Sequence, residues 1–135
     1  LLRSPHPVIY CPARGIDSYR LLPELRKSLA AGRLLLLSPF TKDVTRITSE
    51  TAQQRNRFVA AVATRIFVYH AAPGSNTEQF CRELVALGKH VLTFDSEANR
   101  NIIESGVTPV DLADIKAHID DLTLPSDAGL GTALL

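Results

Sequence analysis

Short runs of aliphatic and β-branched residues alternate along this chain with longer amphipathic stretches, and that alternation restricts the fold more than any other feature. Four runs have the length of a strand, at residues 8–11, 33–38, 65–70 and 90–94. Each is nearly continuous in apolar residues, the pattern of strands covered on both faces. Helical stretches fall between them. The first spans residues 23–31, where Pro23 suits a first turn, Leu25 and Leu29 repeat at four, and Gly32 follows the last turn. The second covers residues 51–64. The third, residues 76–87, places Phe80, Leu84 and Leu87 on one face ahead of Gly88, and residues 97–105 end at Gly106 in the same way. Leu112, Ile115, Ile119 and Leu122 mark a last helix over residues 111–122. The order predicts an α/β fold, a Rossmann-like parallel sheet of at least four strands flanked by helices.

A chain of 135 residues suffices for one domain with a hydrophobic core. We expect that domain over residues 1–122 and a loose tail over residues 123–135, where Pro, Gly and Ser occur without periodicity. Lys and Arg total 15 against 14 Asp and Glu, so contact with nucleic acid requires a local basic patch and not a field around the whole molecule. Cys11 and Cys81 have neither C-x-x-C spacing nor a His at zinc-finger distance, so no metal is expected and both read as reduced thiols. No apolar run, Leu34 to Leu37 included, is long enough to span a membrane, and no signal-peptide pattern is present. The expected location is the cytoplasm, with no membrane association. The chain contains no Met and starts at Leu1, which reads as a processed product or a fragment.

Ligands of open parallel sheets bind beyond the carboxyl ends of the strands, where loops lead into helix N-termini. That rule selects residues 12–18, 39–57, 71–78 and 95–99. Pro73, Gly74, Ser75, Asn76 and Thr77 lead from a strand into a helix and could seat a phosphate on backbone N–H groups. The same residues, with Glu78, spell S-x-x-E, a capping box that satisfies orphan N–H groups without a ligand. Arg55 falls within the arc of Phe58, Val59 and Val62 and so points toward the sheet, where a guanidinium needs a phosphate, a carbonyl or an acid such as Asp17 or Asp95. Arg57 points away. Arg14 follows the first strand beside Gly15, and Lys42 and Arg46 lie in a polar connection over residues 39–50 that is long for its type. His70 ends the third strand and reads as structural, since no nucleophile motif accompanies it. Neither G-x-G-x-x-G nor G-x-x-x-x-G-K-[ST] is present, which removes support for NAD binding and ATP hydrolysis. No catalytic residue and no cofactor is assigned.

The order of segments carries a resemblance. Val8-Ile9-Tyr10 through Gly15-Ile16-Asp17-Ser18-Tyr19, then residues 34–38, Arg55-Asn56-Arg57-Phe58-Val59-Ala60 and Gly88-Lys89-His90-Val91 resemble the DprA/Smf family of DNA-processing proteins, as does Asn101-Ile102-Ile103-Glu104-Ser105-Gly106. The resemblance runs from about residue 8 to 122, and the R-N-R segment is its specific part. It implies a single-stranded DNA-binding, Rossmann-like domain that acts in recombination or natural transformation, partners the RecA recombinase, forms a homodimer and needs no metal. Arg55 and Arg57 would match the family arginines, Gly74 and Ser75 its glycine-serine loop, and Asn101 its asparagine. The chain departs from the family at Pro39 and His70, each in place of Glu, and at Asp95-Ser96 in place of Pro-Gly. An earlier βα half of the family domain has no counterpart here, so the resemblance implies a sheet lacking its first βα units and an exposed apolar face.

Pro73-Gly74-Ser75-Asn76-Thr77-Glu78 is also similar to the P-G-G-x-G-T-x-x-E motif of the lonely-guy phosphoribohydrolases, which share the wider fold. That supplies a rival expectation, a nucleotide sensor or a hydrolase of nucleoside 5'-monophosphates with Glu78 and Arg55 at the scissile bond. A third expectation is a remnant that only dimerises.

Overall fold

Two three-residue strands, β1 (Val8–Tyr10) and β2 (Leu34–Leu36), run parallel with Val8 beside Leu34, Ile9 beside Leu35 and Tyr10 beside Leu36. A parallel pair needs a crossover, and α1 (Pro23–Ala30) supplies it, with Pro23 in the first turn where no helical N–H bond is lost. Gly32 ends the helix at φ 68°, a left-handed conformation that favours glycine, and its N–H donates to the Leu29 carbonyl at 3.0 Å. These elements belong to the first of two compact units of the computed structural model, Leu1–Val59 and Ala60–Leu135, and the structure describes residues 7–111, 113–114 and 132–134.

The long connection after β2 ends in α2 (Ser49–Val62), whose last turn belongs to the second unit. Thr48 and Thr51 cap it reciprocally: the Thr51 N–H donates to the Thr48 hydroxyl at 3.1 Å, and the Thr48 N–H donates to the Thr51 hydroxyl at 2.9 Å. This box starts the helix two residues before the apolar periodicity does.

In the second unit β3 (Arg65–Val68), β4 (His90–Phe94) and β5 (Thr108–Val110) run parallel in the order β5-β4-β3, and β6 (Thr132–Leu134) pairs in parallel with the other side of β3. Helices α3 (Asn76–Ala86) and α4 (Arg100–Ile103) contribute to its core. Ile66, Val68 and Val91 form one cluster with Cys81 and Leu84 of α3 and Ile102 of α4. Phe67, Leu92 and Val110 form a second, against which Phe94 packs, its ring edge-on to Phe67 at 5.0 Å. In β3 and β4 consecutive residues are buried, as their unbroken apolar runs require. Each such Val, Ile, Leu or Phe side chain contributes about 1.5–3 kcal/mol by leaving water.

An α/β fold with parallel strands is therefore observed, but the four strands foreseen for one sheet are divided between two, β1-β2 and the sheet containing β3 and β4. Burial on both faces also fails for β1 and β2, where the registered neighbours Ile9 and Leu35 are 43% and 54% exposed. Strand β5 escaped the sequence reading because Pro109, which lacks an N–H, sits within it; at a sheet edge that donor is not needed. A single helix over residues 97–105 is replaced by a 3₁₀ turn, Glu97–Asn99, followed by the one-turn α4. The helix expected at residues 111–122 lies largely outside the described residues. So does the segment read as a loose tail, except for β6. Among the described residues no helix is long and apolar enough to cross a membrane.

Candidate phosphate-binding edges

In the first unit the chain leaving β1 is held by two contacts to later segments. The Gly15 N–H donates to the Val44 carbonyl at 2.8 Å. The Ser38 hydroxyl donates to the Arg14 carbonyl at 2.8 Å and accepts from the Phe40 N–H at 3.2 Å. Gly15 is required by crowding: a Cβ there would collide with the backbone carbonyl of Thr41. The loop after β1 and the loop after β2 are thus fastened together, and Arg14 stands where they meet.

Arg14 and Arg55 converge on the end of β1. Arg55 projects from α2, its Nη1 donating to the Cys11 carbonyl at 3.0 Å and its Nε to Oδ1 of Asn56 at 2.8 Å. Arg14 lies over the Tyr19 ring, 5.0 Å from its centroid, and reaches the Thr45 carbonyl only at 3.5 Å. Its Nε is buried and has no hydrogen-bond partner among the described residues. The Tyr19 ring is tilted against that of Tyr10 at 5.4 Å, and the two hydroxyls share a hydrogen bond of 2.9 Å. That bond, and then burial, raise the Tyr10 hydroxyl above its usual pKa, while the charges of Arg55 and Arg14 pull it down. Burial likewise raises the Cys11 thiol against the pull of Arg55. Both cations therefore act on one small region.

The sequence reading aimed Arg55 at the sheet, and its bond to Cys11 at the end of β1 agrees. The acidic partner considered for it, Asp17 or Asp95, is replaced by a backbone carbonyl and an amide oxygen. Among the described residues the partners of Arg14 and Arg55 are neutral groups: two backbone carbonyls, an amide oxygen and a tyrosine ring. Arg57 is exposed on α2, and Lys42 and Arg46 are exposed in the connection between β2 and α2.

The second unit builds a different edge beyond β3. Gly74 adopts φ 76°, which turns the chain into α3, and Ser75 caps that helix by accepting from the Glu78 N–H at 3.2 Å. Glu78 completes the cap one residue earlier than the usual box: its Oε2 accepts from the Gly74 N–H at 2.6 Å, while the Ser75 N–H goes to the Ala72 carbonyl at 3.1 Å. Oε1 of Glu78 accepts from Arg82 at 3.0 Å. The Gly74 N–H, then Arg82, then Asn101 hold it below the usual glutamate pKa. Asn101 further donates to the Ala71 carbonyl at 3.1 Å. Gly74, Ser75, Glu78 and Asn101 are thus brought together, as a closed cap. Asn76 and Thr77 follow as the first two residues of α3, Asn76 exposed and Thr77 partly buried.

Three groups escaped the sequence reading. The Tyr10–Tyr19 pair had a faint signal, since both tyrosines flank the Gly15 turn. Asn99 and Thr93 had none: Asn99 is 2% exposed, donating from Nδ2 to the Tyr69 carbonyl at 3.0 Å and to the Thr93 hydroxyl at 2.8 Å. Oδ1 of Asn99 lies 3.0 Å from Nδ1 of His70. Lys89 places Nζ 3.4 Å from the carbonyls of Ala61 and Ala63, just where α2 ends. No group of three or more metal-binding side chains occurs among the described residues.

Comparison of the chain with protein-family models, with curated proteins and with solved structures finds no match in any of the three.

Proposed function

We propose that the chain binds single-stranded nucleic acid through the first unit, with Arg14 and Arg55 as its phosphate contacts, in the manner implied by the resemblance to DNA-processing proteins of the DprA/Smf type. The observation that carries this reading is the convergence of two guanidinium groups on the end of β1, held among the described residues by neutral groups. A guanidinium held by neutral groups keeps its charge, and a phosphate oxygen is an acceptor of opposite charge for it. Tyr10 and Tyr19 add aromatic surface beside the cations, the combination used for sequence-tolerant binding of single strands. Arg57, Lys42 and Arg46, exposed in the same unit, extend the basic surface. Loading of a RecA-type recombinase, assembly as a homodimer and a cytoplasmic location belong to the same proposal.

The test is binding of an oligothymidylate as a function of salt. Affinity should fall with rising salt, and Arg55→Ala should both weaken binding and flatten the dependence. Salt-independent binding, or none at low salt, refutes the reading. The phosphoribohydrolase alternative draws no support from the geometry, because both oxygens of Glu78 are already occupied by Gly74 and Arg82.

A further inference from the structure

The near balance of charge along the chain hides a division. The first unit, Leu1–Val59, holds ten Lys and Arg against four Asp and Glu, and the second, Ala60–Leu135, holds five against ten. Their formal charges are therefore +6 and −5, which together give the +1 of the whole chain. Two compact units of one chain thus present opposite fields to a polyanion, each felt over about 10 Å at about 0.1 M salt.

Local structure sharpens the division. Parallel strands offer ligands their carboxyl ends. Arg14 stands beyond β1, whereas Asp95 and Glu97 follow β4 and Asp111 and Asp114 follow the neighbouring β5, all four exposed. Three cations of the second unit are already engaged: Arg82 with Glu78 at 3.0 Å, Arg100 with Glu97 at 2.8 Å, and Lys89 with the carbonyls of Ala61 and Ala63, both at 3.4 Å. Glu97, then Glu104 and Asp95, raise the Arg100 guanidinium above its usual pKa, so carboxylates of the same unit answer that charge. The turn into α3 is filled in the same way. The Gly74 N–H holds Oε2 of Glu78 at 2.6 Å and the Ser75 N–H holds the Ala72 carbonyl at 3.1 Å, so a phosphate brought there would face a carboxylate in its place.

We propose that the second unit is an electrostatic boundary to the nucleic-acid strand: phosphates are held on the first unit alone, and the acidic second unit excludes the strand. This rests on the nucleic-acid reading above and adds its footprint. Gly74, Ser75, Asn76 and Thr77 then take no part in phosphate binding, and one chain covers about 4–16 nucleotides, the range of one small single-strand-binding domain. A strand that reaches past the first unit gains no phosphate contact from the second and meets like charge there.

Oligothymidylates of about 6 and about 40 nucleotides, titrated at about 0.1 M salt with the full parent chain and with the triple variant Asp95→Asn, Glu104→Gln, Asp114→Asn, test the boundary. All three side chains are exposed and the amides keep their shape; urea unfolding checks that the variant folds, and the single variants serve if it does not. The ratio of variant to parent affinity cancels the number of sites on each strand. It should be about 1 for the short oligomer and at least about 2 for the long one, and the excess should shrink as salt is raised. Asp17→Asn with Asp43→Asn, the same change in the first unit, should raise affinity at both lengths. A ratio of about 1 at both lengths for the triple variant, or an equal rise at both, overturns the proposal while leaving the nucleic-acid reading in place. Failure of the parent to bind either oligomer at low salt refutes that reading, and the boundary falls with it.

Discussion

Nη1 of Arg55 donates to the carbonyl oxygen of Cys11 at 3.0 Å, joining α2 to the end of β1 across 44 residues of sequence. The bond orients the guanidinium without neutralising it, because a carbonyl carries only a partial charge. Lysine keeps the charge but lacks the fork that lets arginine hold Cys11, Asn56 and a phosphate together. Arg55→Lys should therefore keep most of the salt dependence of oligothymidylate binding while losing affinity, whereas Arg55→Ala should lower the logarithmic salt slope by about 0.7, the value for one phosphate contact on a single strand. Equal slopes in the two variants would show that Arg55 touches no phosphate.

Gly15 offers a test of the loop that carries Arg14. Its φ is −59°, so backbone conformation does not demand glycine; the carbonyl of Thr41 does, by filling the space a Cβ would take. A backbone carbonyl cannot rotate away as a side chain can. Gly15→Ala should lower stability by about 1–3 kcal/mol, the cost of forced overpacking. Gly32→Ala, where nothing lies within 4 Å but φ is 68°, should cost about 1 kcal/mol through the left-handed backbone alone. Urea unfolding of both variants separates the two causes, and an unchanged midpoint for Gly15→Ala contradicts the close approach.

These glycines also show where sequence reading reaches and where it stops. Gly32 and Gly88 were legible as helix ends because helix termination is local, and His90–Phe94 was legible to the residue because burial on both faces leaves an unbroken apolar run. The S-x-x-E start of α3 was legible for the same local reason. The contact of Gly15 with Thr41 is not local, and nothing in either residue type announces it. The carbonyl that Arg55 binds is equally silent, since every residue has one. Arg55 could be seen to point inward, but the acids considered for it were chosen because side chains are visible in a sequence and backbone acceptors are not. The division of the strands between two sheets escaped for a related reason: apolar runs report burial, and β1 and β2 are apolar while leaving Ile9 and Leu35 exposed.

The two cysteines should differ in reactivity. Burial in the core cluster pushes the Cys81 thiol up to about 11, with the nearby Glu78 charge adding to the effect, and its side chain is fully buried. Cys11 is half-buried and raised less, Arg55 opposing the rise. Since the thiolate is the reacting species, a disulfide reagent at mildly alkaline pH should modify Cys11 slowly and Cys81 only when the chain unfolds. Mass mapping of the labelled peptides checks the order, and early labelling of Cys81 would contradict its place in the core.

The cap of α3 predicts a pH dependence with a definite sign. Glu78 is held below the ordinary glutamate pKa by the Gly74 N–H first, then by Arg82 and Asn101, so the folded chain binds its proton less readily than the unfolded chain does. A carboxyl lowered in this way contributes stability that is fully present above its unfolded pKa and is lost as pH falls through the lower, folded value. Unfolding midpoints should accordingly decline on acidification below the ordinary glutamate range. Glu78→Gln retains an oxygen for the Gly74 N–H but loses the charge, so it should be less stable than the parent at neutral pH and converge with it in acid. Ser75→Ala removes the other half of the cap, costs about 1 kcal/mol, and should do so at both pH values, because a hydroxyl does not titrate there. Parallel pH profiles for the parent and Glu78→Gln would place the titration elsewhere and undo the assignment to this carboxylate.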